Sequence, residues 1–284
     1  MKRAFVFPGQ GSQAPGMGQA LAQSFTAARL LFEEVDDALS QRLSRLMFEG
    51  PESDLMLTEN AQPALLANSL AVMRVLESEA GFDLARGAAY VAGHSLGEYS
   101  ALAAAGALPV ADAARLVKRR GQAMQKAVPV GEGAMAALLG IDMEGAEAVA
   151  RDAAEGEICA VANDNCPGQI VVSGHAGAVE RAVQLAASRG ARRSMMLSVS
   201  APFHSPLMAP AGDVVREALA ALDLQPPLVP LVANVTAAPT ADPAEIKELL
   251  VAQTTQMVRW RETILLFKEQ EVEELIEIGA GRVL

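Results

Sequence analysis

The sequence predicts an α/β protein built on a largely parallel sheet, with a small βαββαβ unit inserted into it. Three observations carry this. Short apolar runs alternate with longer stretches in which apolar residues recur at helical spacing. One such run leads into Gly93-His94-Ser95-Leu96-Gly97, a Gly-x-Ser-x-Gly pattern that needs a strand before it and a helix after it. Beyond Gly131 the rhythm changes to shorter elements in the order βαββαβ, the split-βαβ or ferredoxin-like unit.

Taken in order, residues 4–7 form a buried strand before the loop Pro8-Gly-Gln-Gly-Ser-Gln13. Residues 27–46 and 63–79 read as helices; in the second, Leu65, Leu66, Leu70, Met73 and Leu76 share a broad face. Residues 88–92 form the strand entering the serine turn, 96–105 the helix leaving it, and 111–127 a further helix. Strand 134–139 and helix 143–154 follow. Strands 157–163 and 169–173 are joined by Asp164-Asn-Cys-Pro-Gly168, then come helix 176–189 and strand 192–199. These place a subdomain at 130–198 within a larger domain formed by 1–129 and 199–284. The larger domain resumes with Leu228-Val-Pro-Leu-Val-Ala-Asn234, then an acidic helix and strand 274–278.

Composition narrows the function. With 284 residues, 51% of them hydrophobic and 20% charged, the chain can bury a sizeable core. A formal charge of -11 argues against nucleic acid as a partner. Basic residues do cluster locally, at Lys118-Arg119-Arg120 and at Arg189, Arg192 and Arg193. Cys159 and Cys166 form no Cys-x-x-Cys pair and have no histidine cluster beside them, so reduced thiols and no metal site are expected. The apolar run at the start breaks at Pro8, too early for a signal peptide, and charge or glycine interrupts every alanine-rich stretch. A cytoplasmic location with no membrane partner is the expectation.

A serine nucleophile needs a base within reach and amide donors for the oxyanion. Of the three histidines, His94 adjoins Ser95 on a tight turn and points away from it, while His175 opens a helix in the small unit. His204 remains, in a loop that Pro202 and Pro206 are expected to hold extended; the alternative is a packed loop histidine. No acid completes a triad. Of Asp112, Asp142, Asp152 and Asp164, only Asp164 ends a strand-like run, and that run belongs to the inserted unit. This speaks against an ordinary lipase or esterase. Gly9-Gln-Gly-Ser-Gln-Ala14 matches a dinucleotide-binding pattern, but the acid it requires would come from mid-helix at 33–37. The alternative is a tight turn that brings backbone amides to another loop, as an oxyanion hole requires.

Together these motifs resemble the malonyl-CoA:acyl carrier protein transacylases of fatty-acid synthesis. The resemblance runs in order through Phe5-Val-Phe-Pro-Gly-Gln-Gly-Ser-Gln13, Gln62-Pro-Ala-Leu-Leu66, Gly93-His-Ser-Leu-Gly-Glu-Tyr-Ser-Ala101 and Arg120-Gly-Gln-Ala-Met-Gln125. It continues through Asn163-Asp-Asn-Cys-Pro-Gly-Gln169, Phe203-His204 and Asn234-Val235. It implies an α/β-hydrolase-like core with a ferredoxin-like subdomain. It also implies that Ser95 takes malonyl from coenzyme A as an ester, with His204 as base and then acid. A backbone carbonyl, here that of Gln253, replaces the triad acid, and the amides of Gln10 and Leu96 form the oxyanion hole. Arg120 would grip the free carboxylate, with Asn163 and Phe203 also binding substrate and Phe203 excluding an α-methyl group. The acceptor would be the thiol of an acyl carrier protein, docked by a basic patch drawn from Lys118, Arg119, Arg189, Arg192 and Arg193. No cofactor beyond the thioester substrate is implied.

Two departures stand out: Gln256-Met-Val-Arg-Trp260 where the family has Asn-Pro-Val-x-Trp, and a stop at Leu284 where relatives continue through another helix. The alternative readings are a malonyl transferase of polyketide assembly or malonate decarboxylation, a serine thioesterase, and an inactive carrier-docking module. Arg120 and the missing acid count against the thioesterase. The intact Ser95, His204 and Arg120 count against the docking module.

Overall fold

The structure is a computed structural model and describes residues 1–199 and 201–284. Its strands are β1 Arg3–Phe7, β2 Tyr90–Gly93, β3 Gly133–Leu139, β4 Cys159–Cys166, β5 Gln169–His175, β6 Arg193–Met196, β7 Leu231–Val232, β8 Pro239–Thr240 and β9 Glu274–Glu277. They form two sheets. In the larger, ordered β8-β7-β2-β1-β9, strands β7, β2, β1 and β9 run parallel and only β8 is antiparallel. The smaller, ordered β4-β5-β3-β6, is antiparallel throughout.

Alternation along the strands assigns the faces. From β1, Phe5 and Phe7 enter the main core with the helices Thr26–Leu39, Thr58–Ala80 and Val110–Lys126, while Ala4 and Val6 turn to the opposite face and pack with Trp260 and Phe267. From β3, Ala136 and Leu138 meet helices Met143–Ala154 and Ala176–Ala186. Met135 and Ala137 face the other way, against Met124, Phe203 and Met208. That second face packs on the helix Val110–Lys126 and the segment 201–211, and Met135 and Val171 line the cavity of the site.

Several expected elements differ. The helix expected at 27–46 is broken into Thr26–Leu39 and Leu43–Glu49, because Ser40 adopts a left-handed conformation, φ 49°. The next helix begins at Thr58 rather than at 63, with Pro63 inside it. Within the segment 228–234 only Leu231–Val232 is strand; Pro230 offers only its carbonyl, to the Val91 amide. Strand β4 continues to Cys166 through residues expected in a loop, since irregularities at Val161/Asn163 and Asp164/Cys166 keep it paired with β5. Among the described residues no helix is long and apolar enough to cross a membrane, and no acidic, His or Cys cluster is grouped for a metal ion.

Candidate active site

Ser95 sits at the turn between β2 and the helix Leu96–Ala104, with φ 50° and ψ -104°. Only glycine fits around it. A Cβ at Gly93 would lie 1.9 Å from the Gly97 carbonyl carbon, and one at Gly97 would lie 2.0 Å from the Phe7 oxygen. Ser95 occupies the N-cap position yet makes no side-chain cap bond. Its amide donates instead to Asn234 Oδ1 at 2.7 Å. The hydroxyl is therefore free to face His204, whose Nε2 lies 2.8 Å away.

His204 is not on an extended loop. Its φ of 55° is left-handed, and this turns the ring inward between the two prolines. The other ring nitrogen, Nδ1, lies 2.8 Å from the Gln253 carbonyl oxygen. That oxygen can only accept, so Nδ1 carries the proton and Nε2 presents its lone pair to the Ser95 hydroxyl. Burial, followed by the nearby Arg120 charge, pushes the imidazole down to about 3, so it rests neutral.

The aspartates are occupied elsewhere. Asp164 receives two bonds from Arg261 Nε at 3.0 and 2.8 Å. Asp142 accepts from the Gly145 amide, Asp112 pairs with Arg115, and Asp152 pairs with Arg189. His94 turns from Ser95 to Asn165 Oδ1 at 2.9 Å, and His175 Nδ1 accepts from the Ile158 amide.

Arg120 comes from the helix Val110–Lys126 and is 1% exposed. Its Nη1 donates to Gln62 Oε1 at 2.8 Å, and its Nη2 to Gln253 Oε1 at 2.9 Å and Ser95 Oγ at 3.1 Å. All three partners are neutral. The guanidinium lies over the Tyr99 ring, 5.1 Å from its centroid. A buried cation with neutral partners beside a serine–histidine pair is a receptor for an anionic substrate group. A cavity of about 250 Å³ opens onto it, lined among others by Gln10, Gln62, Ser95, Leu96, Asn163, Phe203 and His204. Leu96 opens its helix, so its amide has no carbonyl one turn back to bond. The Gln10 side chain is held by Thr58 Oγ1 at 3.2 Å.

A family model described as an acyl transferase domain matches residues 4–284. The chain belongs to this family. It is 49% identical, over its full length and 88% of the relative, to the malonyl CoA-acyl carrier protein transacylase of Bacillus subtilis. It is 43% identical to that of Escherichia coli, over 99% of this chain and 90% of the other. Among solved structures, an acyl-carrier-protein-S-malonyltransferase from Bartonella henselae superimposes with a TM-score of 0.97 at 54% identity, covering 99% of this chain and 89% of that one. A malonyl-transacylase solved with its type II polyketide acyl-carrier protein superimposes with a TM-score of 0.96 at 42% identity, covering 100% and 90%.

The acyl transferase site also contains residues to which the sequence assigned no role. The Gln253 side chain, besides meeting Arg120, donates through Nε2 to the Ser95 carbonyl at 2.9 Å and to Glu98 Oε2 at 3.0 Å. Asn234 holds the elbow from below, with Nδ2 donating to the Gly93 carbonyl at 2.7 Å. The sequence signal for Glu98 is its position three residues after the N-cap Ser95, the spacing of a capping box. The departing segment Gln256-Met-Val-Arg-Trp260 runs beside β4: the Val258 amide bonds the Ala162 carbonyl, and the Asp164 amide bonds the Val258 carbonyl. Of the basic positions, Lys118 is tied to Gln41, Asn60 and Glu59, and Arg119 and Arg189 pair with Glu217 and Asp152. Of these three side chains Lys118 is the most enclosed, 19% exposed against 51% for Arg119 and 49% for Arg189.

Proposed function

We propose that this chain moves the malonyl group of malonyl-CoA to the phosphopantetheine thiol of an acyl carrier protein, through a malonyl ester on Ser95, for fatty-acid biosynthesis. One observation carries the reading: a buried guanidinium with neutral partners stands 3.1 Å from a serine hydroxyl that is itself hydrogen-bonded to a neutral histidine. Arg120 takes the free carboxylate of malonyl in two parallel bonds. His204 Nε2 removes the Ser95 proton as Oγ bonds the thioester carbonyl carbon. The Gln10 and Leu96 amides receive the oxyanion. Collapse breaks the carbon–sulfur bond, and coenzyme A leaves as its sulfur takes the proton back from His204. The carrier thiol then enters by the same steps in reverse order. The Gln253 carbonyl holds the imidazole tautomer in place of an acid.

The geometry also supports specificity in the rate. The Arg120 charge is the second cause that depresses His204. A bound carboxylate offsets that second contribution and an acetyl group does not, while burial, the larger cause, acts in both cases. Phe203 lines the cavity and supports exclusion of a branched α-carbon, and Asn163 lines it too. The finer architecture is part of the same reading: an α/β-hydrolase-like domain from 1–129 and 199–284, and a ferredoxin-like subdomain at 130–198. The second is supported by the antiparallel order β4-β5-β3-β6 with helices on one face.

The test is intact-mass and peptide spectrometry after mixing with malonyl-CoA. A malonyl adduct on Ser95 that moves to added carrier is expected; an adduct elsewhere, or one released only to water, overturns the reading. The structural likeness to a polyketide malonyl-transacylase favours one variant, in which the carrier belongs to polyketide assembly and the chemistry is unchanged.

A further inference from the structure

Glu98 is 1% exposed and occupies the third helical position after Ser95. In a capping box a glutamate there folds back to the N-cap amide. Here the Ser95 amide is taken by Asn234 Oδ1, and the Glu98 carboxylate reaches past it. Its Oε2 accepts from the Asn234 amide at 3.0 Å and from Gln253 Nε2 at 3.0 Å, while Oε1 has no partner. Desolvation raises this carboxyl to about 7, a cost that a helix cap alone does not require.

The side-chain amide of Gln253 has two faces, and only one orientation suits Arg120. Glu98 Oε2 and the Ser95 carbonyl, at 3.0 and 2.9 Å, both accept from Gln253 Nε2, and together they select that face of the amide. The Oε1 face is then turned to Arg120 Nη2, which also reaches Ser95 Oγ. The chain of bonds is Glu98 to Gln253 to Arg120 to the reacting hydroxyl. We infer that Glu98 is a positioning residue for donor selection: it fixes the Gln253 side-chain amide, and through it the aim of Arg120 at the substrate carboxylate. The inference rests on the malonyl-transfer reading above.

The experiment compares kcat/KM for malonyl-CoA and acetyl-CoA in the full chain with carrier. Both donors use Ser95 and His204, so general damage lowers both values and leaves their ratio intact. Glu98→Ala is expected to lower the malonyl-to-acetyl ratio at least about tenfold, the equivalent of roughly 1.4 kcal/mol. Glu98→Gln, which keeps an acceptor oxygen for both bonds, is expected to hold the ratio within about threefold. Gln253→Met keeps the carbonyl under His204 but removes the amide, and should lower the ratio as Glu98→Ala does. It decides the matter if Glu98→Ala does not fold. An unchanged ratio in Glu98→Ala or Gln253→Met overturns the inference. Arg120→Ala separates this from the parent reading: if it keeps the ratio, malonyl selection by Arg120 falls and the role of Glu98 falls with it. If Arg120→Ala loses the ratio while Glu98→Ala keeps it, only Glu98 is refuted.

Discussion

His204 combines a buried ring with a carbonyl on one nitrogen and a hydroxyl on the other. An imidazole of ordinary pKa would lose its base form about 25-fold between pH 7 and pH 5. Held down to about 3, this one stays neutral across that range. The kcat/KM for malonyl-CoA should therefore carry no histidine-type acid limb near 6.5 (a profile bending there contradicts the site). The same shift enters stability. Below 6.5 the unfolded chain binds a proton that the folded chain refuses, so the contribution is whole above 6.5 and is lost as pH falls toward 3. Urea midpoints should show His204→Gln gaining on the parent by on the order of 3 kcal/mol between pH 7 and pH 4. At this scale the sequence displayed side chains but not backbone partners. Ser95, His204 and Arg120 could be picked out because their types are rare or their motifs distinctive. The Gln253 carbonyl could not be read from residue type, since every residue has one. Glu98 shows only as the third residue after Ser95, a spacing that points to a helix cap and not to Asn234 or Gln253.

At the level of the element, the serine turn is the best-marked feature of the chain, because its glycines are dictated by contact. Gly97→Ala would drive a methyl into the Phe7 carbonyl, and should cost about 1–3 kcal/mol with loss of transfer activity, measured by thermal melts and a coupled assay. The break at Ser40 was illegible for the opposite reason. A single residue in left-handed backbone leaves the apolar periodicity of 27–46 undisturbed, and serine does not advertise that conformation. Ser40→Gly should accordingly stabilise the chain by about 1 kcal/mol, seen as a higher urea midpoint. A lower midpoint would show that the serine contributes something beyond the backbone turn. Strand β4 was misjudged in length because a bulged strand breaks the two-residue alternation on which strand reading depends.

Across the whole molecule, the site lies where the smaller sheet packs on the helix Val110–Lys126 and the segment 201–211. Met135, Ala137 and Val171 meet Met124, Phe203 and Met208, and Val258 lies along β4. Arg261 fastens the same seam to Asp164, whose side chain is 1% exposed. Arg261→Ala strands that buried carboxylate, and should cost about 3 kcal/mol while loosening the Asn163 wall. A rise in KM for malonyl-CoA alongside a lowered melting temperature is the expected pair of readings. The rhythm of the elements separates a mainly parallel sheet from a smaller βαββαβ unit, but how the two meet is not legible, because no local pattern encodes which faces close together.

The most direct measurement is rapid-mixing release of free coenzyme A thiol from malonyl-CoA with no carrier present. The site as described predicts a burst of one thiol per chain followed by near silence, and no burst in Ser95→Ala. A burst that survives Ser95→Ala, or steady release into water at the rate of the first turnover, would contradict it.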